Sequence, residues 1–252
     1  MKRLLNILIL FLCFLGHAQN DALFNDATKA YNEGKYDKAI EDYQKILKNG
    51  EHSAALYYNL GNCYYKLNQI APSIYNYEKA LLLDPNDSDI KNNLEHAQNM
   101  TLDAIDVLPE TAMAKIYKNL TGNFTFDQLA YMAVFFIFLF VIAYIAFHYF
   151  QYSSKKRIAF IASMLFLIIA VMSVAVAYLR YNDFKTDHPA IVFPKEVTVN
   201  SEPNNRSQEA FKLHEGAKVN VVEKLGEWNK ISLADGKTGW IPSDDIKLIK
   251  DF

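Results

Sequence analysis

Few residues in this chain could form a nucleophilic or metal-binding constellation. There are two cysteines, Cys13 and Cys63, and six histidines. No H-E-x-x-H helix, G-x-S-x-G elbow or glycine-rich phosphate loop occurs. No histidine lies near Cys63 in sequence to lower its thiol pKa, so Cys63 reads as a small buried residue. No catalytic residue, metal ligand or cofactor is therefore expected. The formal net charge is -2, and the basic residues are scattered apart from Lys155-Lys156-Arg157. That distribution offers no stripe for nucleic acid. Recognition by surfaces remains, and the elements that would present them are legible in the chain.

Lys2 and Arg3 precede an apolar run, Leu4 to Leu15, and then Gly16-His17-Ala18. This is the pattern of a secretory signal peptide over residues 1–18, too short for a spanning helix. Leu12 before Cys13 is not the small residue that a lipidation signal wants. After the leader the chain repeats itself. Gly34 to Ile40 aligns with Asn68 to Ile74, and Tyr43 to Leu47 with Tyr77 to Leu81, both 34 residues apart.

Residues 54–87 resemble a tetratricopeptide repeat. Tyr57, Leu60, Gly61 and Tyr64 fill the pattern of its first helix, Ser73 the helix crossing, Tyr77 and Ala80 the second helix, and Asp84-Pro85-Asn86 its end. Residues 21–53 form a weaker copy, with Asp26-Ala27 where Leu-Gly would stand, and 88–100 a partial, polar capping copy. The resemblance implies an all-α solenoid that binds protein partners. Its groove residues would be Phe24, Thr28, Tyr31 and Asn32, then Tyr58, Asn62, Tyr65 and Lys66, then His96. Paired lysines that grip a carboxylate are missing, which argues against a chaperone-tail ligand.

Residues 101–128 form a linker in which Met113, Ile116, Tyr117 and Leu120 fall at helical spacing. Such a helix would either lie on a membrane surface or cap the repeats. Two uncharged apolar runs follow, 129–150 and 158–179. Each would be about 33 Å long as a helix, enough for a hydrocarbon core of ~30 Å. The basic loop 151–157 between them places that loop in the cytoplasm. Both soluble parts would then face the periplasm, which agrees with the export signal. No charge lies within either run, so nothing points to transport.

From 188 to 252 the pattern changes to short alternating strands with a tight turn at Asp235-Gly236. The motif order Phe211 to Gly216, Val219 and Val221, Gly226 to Ile231, and Gly239-Trp240-Ile241 resembles the bacterial SH3-like domain. That resemblance implies an all-β small barrel, with Trp240 in its core and Trp228 the candidate ligand contact. Peptidoglycan is the ligand class that such relatives suggest. The overall order of signal peptide, repeats, two-helix transmembrane hairpin and SH3-like domain resembles the BatE proteins of the Bacteroidota aerotolerance (Bat) operon. This implies a non-enzymatic adaptor in the cytoplasmic (inner) membrane, working with protein partners such as von Willebrand A domain membrane proteins and other Bat operon products. Whether the repeats and the SH3-like domain touch is not decided by sequence.

Overall fold

The computed structural model describes residues 20–105, 108–109, 111–122 and 124–251. The expected signal peptide, with Cys13, lies outside the described residues. The chain divides into two compact units, one running up to Leu108 and resuming at His188, the other Pro109–Asp187.

The first unit begins with five helices: α1 over 20–32, α2 Tyr36–Lys48, α3 Ala54–Lys66, α4 Ile70–Leu83 and α5 Ser88–Gln98. Their boundaries follow from local chemistry. The Ser53 side chain accepts the Leu56 N–H, and Asp87 accepts those of Asp89 and Ile90, so the first turns of α3 and α5 are capped. Gly34 and Asn68, one repeat apart, both take positive φ where their helices end. Pro72 sits in the first turn of α4, where a missing N–H is tolerated. Small residues stand at the crossings: Ala39 and Ser73 are fully buried, and the Ser73 hydroxyl donates to the Gly61 carbonyl at 3.0 Å. Around them pack Tyr43, Leu60 and Cys63 in one apolar cluster, and Tyr57, Ile74, Tyr77 and Leu94 in the next.

After the second unit come seven strands: β1 Pro189–Val192, β2 Glu196–Asn200, β3 Glu209–His214, β4 Lys218–Leu225, β5 Trp228–Ser232, β6 Thr238–Pro242 and β7 Ile246–Leu248. They form a single antiparallel sheet in the order β3-β2-β6-β5-β4-β1-β7. The sheet is open, which corrects the expectation of a closed barrel. Closure would need β3 to pair with β7. Instead the backbone N–H of His214 at the β3 edge donates to the Asp103 carboxylate at 2.7 Å, and β7 is only three residues long.

The core of the sheet is Val192, Val199, Leu213, Val219, Ile231 and Ile241. Trp240 is buried, as expected, but lies outside this cluster. Ile231 pairs with Gly239 and Lys230 with Trp240, so Gly239 holds the inward position and Trp240 the opposite face. The Lys230 ammonium lies 5.9 Å from the Trp240 ring centroid, and Trp240 is 9% exposed.

The repeats and the sheet share one packed core. Ile191 and Ile249, both almost fully buried, join the cluster of Ile74, Ile90 and Leu94. Segment 101–105 crosses to the sheet, where Asp103 also meets His214 Nδ1 at 2.8 Å and Ile105 packs on the strand core.

The second unit holds α6 Ala112–Thr121, α7 Phe126–Tyr149 and α8 Ser153–Thr186. A Thr125–Gln128 capping box starts α7. Both α7 and α8 are long and apolar enough to cross a membrane. They pack together through Leu129 and Ala133 on α7 and Ala159, Ser163, Ala170 and Ser173 on α8, while Phe138, Ile142, Ile161 and Val171 face outward. The Ser163 hydroxyl is satisfied within its own helix by the Phe160 carbonyl at 2.7 Å. Lys155, Lys156 and Arg157 stand in the first turn of α8, and Lys156 lies 5.8 Å from the Phe147 ring centroid. At the other end of α8, Asp183 accepts the hydroxyl of Tyr117 on α6 at 2.7 Å.

Candidate functional site

The inner side of the helical array carries a cavity of about 140 Å³ lined by Tyr31, Asn62, Tyr65, Lys66, Tyr77, Asn93 and His96. These residues come from α1, α3, α4 and α5, so repeat stacking alone brings them together. A hydrogen-bonded network forms its floor. Asn62 Oδ1 accepts from the Tyr77 hydroxyl at 2.7 Å and from Asn93 Nδ2 at 2.9 Å. Asn93 Nδ2 also donates to the Tyr58 hydroxyl at 2.9 Å.

This wiring decides what the cavity offers. The Asn62 carbonyl oxygen is saturated from within, and its amide N–H pair has no hydrogen-bond partner among the described residues. The Tyr58 oxygen accepts, leaving its proton to donate. The Lys66 ammonium and the hydroxyls of Tyr31 and Tyr65 add further donors, and none of the lining residues is acidic. Burial raises the Tyr31 pKa, with smaller contributions from Cys63 and Tyr36, and burial likewise raises that of Tyr77. Both phenols therefore stay protonated donors at neutral pH. These groups can donate hydrogen bonds to acceptors such as backbone carbonyls.

The sequence-expected groove residues fall in four places. Tyr31, Asn62, Tyr65, Lys66 and His96 line the cavity, and Tyr58 supports its floor. Thr28 is used internally, with its hydroxyl donating to the Phe24 carbonyl and bonded to the Tyr43 hydroxyl, each at 2.9 Å. Phe24 packs edge-on to Tyr43 and borders a separate cleft of about 470 Å³ with Asp21, Ile46, His52 and Leu56. Asn32 is exposed beyond both. Two working residues went unassigned from sequence, Asn93 and Tyr77. Asn93 precedes His96 by three positions, one turn along α5, and that spacing was the available signal. Tyr77 matches a position of the repeat's second helix, a pattern that says nothing of what its hydroxyl bonds.

Trp228 is half-buried on β5, paired with Leu225 across the β4–β5 hairpin and with Pro242 on β6. It shares the outward face of the sheet with Lys230 and Trp240. Leu225 is exposed. Cys63 is buried beneath the cavity wall, and burial pushes its thiol up to about 12. Among the described residues, no three His, Cys, Asp or Glu side chains come together as a metal site.

Residues 54–87 match the tetratricopeptide repeat family and residues 195–247 the bacterial SH3 domain family. Both are non-catalytic interaction domains. No curated protein is similar to the chain.

Proposed function

We propose that the protein is a membrane-anchored adaptor that holds an acceptor-rich segment of a partner protein in the α1–α3–α5 groove. Helices α7 and α8 fix it in the cytoplasmic membrane with the repeats and the sheet both on the periplasmic side. The observation that carries this reading is the donor-lined cavity, in which an internal network uses the Asn62 carbonyl and leaves its amide N–H pair free to donate. The tetratricopeptide match supports protein recognition as the task. The orientation rests on the basic residues Lys155 to Arg157, at the start of α8 and between the two apolar runs. The order of modules supports a place in a Bat-type membrane complex, with von Willebrand A domain proteins as partners and stress or oxygen tolerance as the process.

The test is capture of partners from detergent-solubilised membranes by the full chain and by an Asn62→Ala, Tyr65→Ala pair. The full chain should recover a membrane or periplasmic protein that the variant loses. Recovery of nothing, or equal recovery by both, would sink the reading. Reporter fusions after Met100, at Ser154 and at the C-terminus should read outside, inside and outside.

A second reading has its own observation. The half-buried Trp228 lies beside Lys230 on one face of a sheet that matches the bacterial SH3 domain. A partly exposed aromatic ring beside a cation suits a cell-wall glycan or peptide, so this face would bind peptidoglycan. Co-sedimentation of the solubilised full chain with purified sacculi, lost in Trp228→Ala, would establish it.

A further inference from the structure

We infer that the sheet is the closing cap of the helical array, standing where a partner helix for α5 would pack, and that the two modules fold and unfold as one body. In an array of paired helices each outer helix is covered by the next pair. Among the described residues of this unit no helix follows α5, because segment 101–105 leaves directly for the sheet. The uncovered side of α4 would expose Ile74, yet Ile74 is fully buried.

What covers α4 is built rather than incidental. Gly216 takes φ +87° in the turn before β4, and a Cβ there would lie 2.9 Å from Ile74 Cδ1 and 2.9 Å from Thr101 Cγ2. A glycine is thus required twice over, by backbone conformation and by close approach. On either side run polar ties. Glu78 accepts from the Lys218 ammonium at 2.7 Å. Lys79 is buried between the rings of Tyr57 and Tyr75, 5.0 and 5.1 Å from their centroids, and is paired with Asp251. The Tyr75 hydroxyl donates to the same Asp251 carboxylate at 2.9 Å, and Phe193 meets the Tyr75 ring edge-on at 5.7 Å. A buried lysine without its carboxylate is strongly unfavourable, so α4 is complete only when the C-terminal strand end is in place.

Two functional consequences follow. The sheet is not a tethered arm that searches for ligand. The surface around Gly216, Lys218 and Asp251 is also closed to any envelope ligand, which leaves the face of Trp228 and Lys230 available.

Both tryptophans of the chain, Trp228 and Trp240, lie in the sheet, so tryptophan emission reports the sheet alone. The experiment is thermal unfolding of the detergent-solubilised full chain followed by that emission. Leu60→Ala on α3 lies in the repeat core, away from the sheet. The cap predicts that it lowers the tryptophan transition by about 5–10 °C, together with the helical signal. Ile46→Val on α2 is the milder version, with a smaller parallel shift, should Leu60→Ala fail to fold. An unmoved tryptophan transition in either variant would overturn the proposal. Gly216→Val should separate the two signals into distinct transitions, and a single unshifted transition in that variant would also overturn it.

Discussion

Replacing Gly61 by alanine pits two effects of opposite sign against each other at one atom. In a solvent-exposed helix the change would stabilise by about 1 kcal/mol, because alanine is the better helix former. At the α3–α4 crossing a Cβ on residue 61 would lie 2.6 Å from both Cδ1 and Cε1 of Tyr77 and 3.1 Å from its Cγ. Carbon atoms settle near 3.5–4.0 Å, so the ring or the helix must move by about 1 Å. The ring has nowhere to go. It is almost fully buried, its hydroxyl is tied to Asn62 at 2.7 Å, and its face lies 6.0 Å from that of Tyr58. The helix is held as well, through the Ser73 hydroxyl on the Gly61 carbonyl. Overpacking of this kind costs about 1–3 kcal/mol, and here the upper half of that range applies. After the propensity gain, Gly61→Ala should be destabilising by about 1–2 kcal/mol. That corresponds to a fall of roughly 3–8 °C in Tm for a unit of this size. The assay is far-UV circular dichroism of the solubilised full chain on heating, done also in a Tyr77→Leu background. Without the ring the alanine should become neutral or stabilising, which gives a coupling of opposite sign between the two sites. Equal costs in both backgrounds, or a stabilised single variant, would refute the steric reading.

Other outcomes are expected from the same structure. The Cys63 thiol, raised by burial, should resist maleimide at pH 7.5 in the folded chain and react fully in denaturant, and rapid native labelling would contradict its placement. Removing the floor of the cavity with Asn93→Ala should weaken partner capture about tenfold, the loss of roughly one hydrogen bond to Asn62, with an unchanged melting curve as the check on folding. Burial, and secondarily Asp244, raises the Asp245 carboxyl above its usual value, so folding favours its protonated form. Its charge opposes folding above the raised pKa, and this opposition disappears as pH falls below the unfolded value. Asp245→Asn should therefore raise Tm at pH 7 by more than at pH 3, and the reverse order would show that the carboxylate is instead held by a donor.

Much of the architecture is written in local pattern. The 34-residue period reports helix pairs because each repeat buries the same positions against its neighbour: Ala39 and Ser73 at the crossings, Tyr43 and Tyr77 beside them. The apolar runs that become α7 and α8 are equally local, since a helix long enough to cross a membrane needs only composition and length. Alternation identified strands in the tail, and the turn at Asp235-Gly236 identified the hairpin that joins β5 to β6.

Groove candidates were legible only where the repeat stacks regularly. Asn62, Tyr65 and Lys66 could be placed, but Thr28 had an internal partner in Tyr43 that no spacing announces. The direction of the Asn62 amide depends on Asn93 and Tyr77, which meet it from two other helices. The resemblance implies that Trp240 is buried, and it is, but only the strand register shows that Gly239 and Ile241 share the face of the strand core while Trp240 lies on the other.

Composition and period determined that this chain has helical repeats, two apolar helices and a strand-rich end, because each of those is a short-range property of consecutive residues. Tertiary structure alone decided that the sheet stays open, that it docks on α4, and which atoms line the cavity. Those outcomes rest on pairs such as Glu78 with Lys218, Tyr75 with Asp251 and Asp103 with His214, more than a hundred residues apart. Such pairs leave no periodic trace, because the partners are joined by packing and charge across the fold and not by the helix or strand that each belongs to.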